Sequence, residues 1–153
     1  MKVLVIQNRM GIGDLIIFLP YIFSISKEYN TPVSLLVREN TRARELLKNN
    51  PYVSEIIILD RDDKKKAGRH QGIVGVLNLI QDLRKKNFTK SFIFNSSARY
   101  ALISKLAGIK ERYQYPLFEK KEQNIIETAK KFISVHLNKT VESNPILNID
   151  EKK

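Results

Sequence analysis

The chain is 153 residues long and contains no cysteine, which is enough for one domain with its own core and excludes disulfides, thiolate metal sites and cysteine nucleophiles. Its longest apolar runs, LIIFLPYIF and EIIILD, fall short of the roughly 20 residues of a membrane helix, and MKVLVIQN lacks the features of a secretory signal, so a soluble, cytoplasmic chain is expected. Lys and Arg total 27 against 16 Asp and Glu, a formal charge of +11, which suits an acidic glycan or an anionic lipid surface; with no paired-cysteine finger, RNP-like strand or recognition-helix unit, no specific nucleic acid is expected.

In chain order, KVLVIQ reads as a short buried strand, and apolar residues at Leu15, Phe18, Leu19, Ile22, Phe23 and Ile25 repeat at helical spacing from Asp14 to about Tyr29. VSLLV is a second strand. TRARELLKNN makes a short helix with Leu46 and Leu47 inward, and NPY turns the chain into a third strand, EIIILD. RDDKKKAGRHQG, from Arg61 to Gly72, is a charged loop at a strand's carboxyl end. VGVLNLIQDLRKK follows as a helix, SFIFN as a strand, and SARYALISKLAG as a helix closed by Gly108. A further short strand lies in IKERYQY, with Tyr113, Tyr115 and Phe118 around Pro116; NIIETAKKFISVHL is an amphipathic helix, and NPILNIDEKK starts like one more strand. Alternating β and α segments predict a Rossmann-like parallel sheet with helices on both faces.

Chemistry concentrates in QNRMGIGDLIIFLP. It is neither a dinucleotide fingerprint nor a nucleoside-triphosphate loop. Gly11 and Gly13 let another molecule approach the backbone, and Asp14 falls at the start of the first helix, where it reads either as a helix cap or as a functional carboxylate. Pro20, several residues inside the helix, removes a backbone donor and is expected to bend the first turns.

Three segments carry a family resemblance: RMGIGD at Arg9 to Asp14 with Leu19 and Pro20, NPYVSEI from Asn50 to Ile56, and the Ser97 to Ile109 stretch with Arg99 and a terminal AGI. In this order and spacing, over nearly the whole chain, the sequence resembles the amino-terminal half of the glycosyltransferase family that holds the ADP-heptose:lipopolysaccharide heptosyltransferases, family 9. The resemblance implies one half of a GT-B fold, with residues 1–153 as the acceptor-side Rossmann-like domain. It implies inverting, metal-independent transfer of heptose from ADP-heptose, with the residue matching Asp14 as general base and Gly11 and Gly13 keeping backbone close to the sugars. It implies no cofactor. ADP-heptose is a co-substrate held mainly by a donor-binding carboxyl-terminal domain, and nothing in the sequence resembles that domain, so the chain is expected to be inactive without a donor domain or partner chain.

Acidic lipopolysaccharide-type acceptors account for the charge. Arg61, Lys64, Lys65, Lys66 and Arg69 sit in the loop after the third strand, Arg99 follows the fourth and Arg9 the first, all on the carboxyl edge where open α/β sheets bind ligands. They are candidate acceptor contacts or contacts to an anionic membrane surface, which would place the protein peripherally at the inner membrane. His70 and His136 have no ligand-type spacing, so no metal site is expected. Two non-enzymatic readings stay open: a binding module for an anionic glycan or nucleotide, and a structural domain that covers another chain.

Overall fold

The computed structural model describes residues 1–62, 64–117 and 124–138. Phe118 and the strand expected in 144–153 lie outside them. The elements run β1 (Val3–Ile6), α1 (Ile12–Tyr29), β2 (Val33–Val37), a 3-10 turn (Glu39–Thr41), α2 (Ala43–Leu46), β3 (Val53–Ile58), α3 (Gly72–Arg84), β4 (Lys90–Ile93), α4 (Ala98–Leu106), β5 (Glu111–Gln114) and α5 (Ile125–Leu137).

The strands form a five-stranded sheet in the order β3-β2-β1-β4-β5, and every neighbouring pair is parallel. This is the Rossmann-like sheet that the alternating segments predict. β1 is central and apolar at every position because both of its faces are covered. Val3 and Val5 join a core with α1, α2 and α5, whereas Leu4 and Ile6 join a core with α3 and α4. In the first core the edges of Phe92, Phe94 and Tyr115 surround Phe132 on α5, and Tyr21 Oη donates to Ile126 O at 3.2 Å, which ties α1 to α5.

Local chemistry explains where the elements begin and end. α1 starts at Ile12, two residues earlier than the apolar spacing suggests, because Gly11 takes φ +94° as its N-cap. It runs unbroken through the buried Pro20 and closes on Asn30 in the left-handed conformation. The short helix expected in TRARELLKNN is interrupted: Arg42 adopts φ 52° between the 3-10 turn and α2, which leaves a helix of four residues. Ser97 caps α4 by accepting from Arg99 N at 3.2 Å, and Asn124 caps α5 by accepting from Ile126 N and Glu127 N.

Candidate active site

From β1 the chain crosses to β2 on one side, and it returns from β3 to β4 on the other, so the connections diverge at the carboxyl ends of β1 and β4. Such a switch point leaves a crevice in an open α/β sheet. Here it is a cleft of about 480 Å³ lined by Asn8, Arg9, Met10, Asp14, Arg38, Phe94 and Asn95. Its floor is cross-linked: Asn95 Nδ2 donates to Asn8 Oδ1 at 3.2 Å, and Asn95 Oδ1 accepts from Ser97 N at 3.0 Å.

Asp14 faces this cleft from the first turn of α1. It is not the helix cap. The N-cap is Gly11 and no side chain caps the helix, which removes the simpler of the two sequence readings. The Asp14 carboxylate instead accepts from Arg9 Nε at 3.3 Å, with the Asp14 side chain 27% exposed. The corner is held from outside the helix: Gln7 accepts from Arg9 N, and Asn40 Oδ1 accepts from Gly11 N at 3.0 Å. Gly11 thus shapes the corner by its positive φ, and Gly13 is exposed beside it in the first turn.

Arg38 is the residue that sequence reasoning missed. It directly follows β2, is buried, and donates through Nε to Asn8 O at 3.0 Å and through Nη1 to Arg61 O at 2.9 Å. It lines the Asp14 cleft and also a larger cavity of about 780 Å³ bounded by Met10, Gly11, Glu39, Asn40, Arg44, Asp60, Arg61, Asp62 and Lys64. The available signal was position alone: a polar residue closing a continuous apolar strand next to β1.

The basic loop divides. Arg61 and Lys64 line the larger cavity. Lys65 and Lys66 are exposed on a turn closed by the Asp62–Ala67 bridge, where Asp62 Oδ1 accepts from the backbone N–H of Lys64 and Lys65. Arg69 forms a two-pronged pair with Asp82 on α3, through Nε at 3.0 Å and Nη2 at 2.7 Å. Arg69 first, and His70 after it, hold the Asp82 carboxyl down to about 2 against the opposing effect of desolvation. His70 is buried; its Nδ1 accepts from Asp60 N–H at 3.0 Å, so Nε2 carries the proton and donates to Asp82 Oδ2 at 2.8 Å. The loop lies so close to α3 that a Cβ on Gly75 would sit 2.0 Å from the carbonyl carbon of His70. Arg99 donates to the carbonyls of His70 at 2.8 Å and Gly72 at 3.3 Å, fastening the loop to α4. Neither Arg69 nor Arg99 lines the cleft or the larger cavity.

A carboxylate beside a guanidinium in a polar cleft can accept a proton from a bound hydroxyl, and Arg9 and Arg38 can attract an anionic group to the same place. Among the described residues no group of three or more His, Asp or Glu side chains is arranged to hold a metal ion, and no helix is long and apolar enough to cross a membrane.

No family model and no curated protein matches the sequence. Solved structures do match. The chain superposes on a glycosyl transferase family 9 protein from Veillonella parvula with a TM-score of 0.71 at 17% identity, over 99% of this chain and 46% of that one. It superposes on the E. coli ADP-heptose lps heptosyltransferase II with a TM-score of 0.61 at 19% identity, over 99% of this chain and 47% of that one. The E. coli heptosyltransferase WaaC, solved with ADP-2-deoxy-2-fluoro heptose, gives a TM-score of 0.61 at 12% identity, over 94% and 50%. This chain spans about half the length of the structures it matches, and its fold is that of about one half of a GT-B glycosyltransferase of the family 9 and heptosyltransferase kind.

Proposed function

We propose that this chain is the acceptor-side domain of an inverting, metal-independent heptosyltransferase of lipopolysaccharide core synthesis, with Asp14 as its general base. The observation that carries this reading is the placement of Asp14: it faces the switch-point cleft, is spared the capping role, and lies 3.3 Å from Arg9. An acceptor hydroxyl bound beside Asp14 loses its proton to the carboxylate as its oxygen attacks the anomeric carbon of ADP-heptose. The new glycosidic bond forms as the bond to ADP breaks, and the anomeric configuration inverts. Arg9 and Arg38 attract an acidic acceptor, and Arg61 and Lys64 in the neighbouring cavity extend that field. Donor binding falls to the other half of the GT-B pair, and bringing both reactants together supplies much of the rate.

The test is ADP release from ADP-heptose with an inner-core acceptor. Residues 1–153 joined to a family 9 donor half are expected to turn over, and residues 1–153 alone are not. Robust turnover by residues 1–153 alone would overturn the division of labour. A second reading, a non-catalytic module for anionic glycans, is favoured by the larger cavity, where Arg38, Arg44, Arg61 and Lys64 outnumber Glu39, Asp60 and Asp62; it requires glycan binding that Asp14→Asn leaves intact and no turnover with any donor half.

A further inference from the structure

We propose that the outer seam between α3 and α4 docks on an anionic lipid bilayer, its apolar side chains entering the headgroup boundary and its cations meeting acidic headgroups. Ile73, Val74 and Leu77 on α3 are 84%, 69% and 56% exposed, and Leu102 and Leu106 on α4 are 49% and 43% exposed. These side chains are surplus to the core, which is already filled from the same helices by Leu79, Leu83, Tyr100 and Ile103.

They form one surface because the two helices are fastened at both ends. At the amino ends Arg99 Nη2 reaches Gly72 O at 3.3 Å, and at the carboxyl ends Arg84 Nη2 donates to Leu106 O at 2.6 Å. Ile73 follows Gly72 directly and Leu77 stands one turn beyond it; Leu102 lies one turn past Arg99, and Leu106 carries the carbonyl that Arg84 grips. The apolar residues of both helices therefore flank the same seam. A contiguous exposed apolar patch on a charged protein marks an interaction surface.

Charge selects the occupant. The exposed ionic side chains are Arg84 on α3, Lys85 at its C-cap and Lys105 on α4, and the one carboxylate in either helix, Asp82, is held by Arg69 and His70. A symmetric dimer through this face would set those cations against their own copies. An anionic bilayer neutralises them and receives the apolar ridge, the combination that draws an amphipathic helix into a membrane interface. The most exposed apolar residues, Ile73 and Val74, lie in the first turn of α3, at the sheet's carboxyl edge. The Asp14 cleft opens at the same edge of the sheet. This inference does not depend on Asp14 being a base.

The chain contains no tryptophan, so Val74→Trp supplies a single fluorescent reporter. With vesicles of phosphatidylglycerol and phosphatidylcholine the emission is expected to shift to the blue, and with phosphatidylcholine alone it is not. In cosedimentation, Ile73→Ser with Leu77→Ser, and separately Lys85→Glu with Lys105→Glu, should each weaken partition by about tenfold or more while the melting temperature holds. Absence of binding to the anionic vesicles would overturn the proposal. So would binding that both pairs of substitutions leave intact and that Lys64→Ala, Lys65→Ala and Lys66→Ala together abolish, since the loop alone would then be the attractor. A dimer in light scattering that Leu77→Ser dissociates would assign the face to a second copy instead.

Discussion

Two charged corners share the carboxyl edge of the sheet, and each holds a carboxylate–guanidinium pair, but in different places. In the β1–α1 corner, one carboxylate and the guanidinium beside it face a cleft, and the helix start is left to a glycine. In the β3–α3 loop, Arg69, His70 and Asp82 answer one another, and Arg99 is drawn onto backbone carbonyls. Both corners are polar, glycine-bearing and close to the switch point. What separates them is what each ion pair borders: Arg69 and Asp82 hold the loop against α3 and line neither cavity, whereas the Arg9–Asp14 pair lies on the wall of the switch-point cleft. Charge at a sheet edge is therefore a poor guide to a site until its surroundings are known.

The sharpest way to break this contrast is Asp14→Asn in a chain joined to a donor half. Loss of a general base costs a factor of roughly 100 to 10,000 in rate, and the melting temperature should barely move because Asp14 does not cap α1. Single-turnover transfer at saturating acceptor checks it; transfer within about threefold of the parent would remove Asp14 from the chemistry.

Next in size is Gly75→Ala, which attacks the fastening. A methyl group 2.0 Å from the His70 carbonyl carbon forces the loop off α3, and overpacking of this kind costs about 1–3 kcal/mol. Urea denaturation should show that loss, while acceptor binding at the Asp14 cleft changes far less.

Asp82→Asn sharpens the same point through pH. The folded Asp82 carboxyl is held at about 2, below its ordinary value of 3.8, so the folded state favours its ionised form. That stabilisation is present above pH 4 and is lost as the pH falls toward 2. Because the Arg69 partner is exposed, about 1 kcal/mol is expected after solvent screening. The Asn variant should be less stable at neutral pH and should flatten this part of the acid limb in a chemical-denaturation series.

The smallest effect belongs to Lys64, Lys65 and Lys66. Replacing all three with alanine should leave stability within about 0.5 kcal/mol and weaken attraction to an acidic saccharide only at low salt, because exposed lysines act through a screened field. Titration calorimetry at two ionic strengths separates this from Arg38→Ala, whose buried guanidinium lines both cavities and whose effect should persist when salt is raised.

The fold was legible because its signals are local and repeated: VLVI and VSLLV are short strand-length runs, β3 carries three consecutive isoleucines, and α1 and α5 carry helical spacing. The Asp14 corner was legible because a strand, a glycine and an acid in succession place the acid at a known edge. Arg38 was not, since its importance comes from β2 lying beside β1, a relation between segments about thirty residues apart. The His70–Asp82 fastening was hidden for the same reason: it depends on the loop folding back along α3, and a solitary histidine in a polar run carries no trace of that. Arg99 stood out by position, yet its hydrogen bonds to His70 and Gly72 become visible only when α3 and α4 lie side by side.

The central position of β1 also sets an order of events during synthesis. Val3 pairs with Lys90, so the most buried strand has no neighbour on one side until residues 87 positions later have been made. At ribosomal speeds of about 5–20 residues per second, this leaves an interval of roughly 4 to 17 s in which VLVI and the apolar face of α1 are synthesised but incompletely covered. A nascent chain stalled before β4 carries an unpaired parallel edge flanked by apolar side chains, the form in which strands recruit one another or a chaperone.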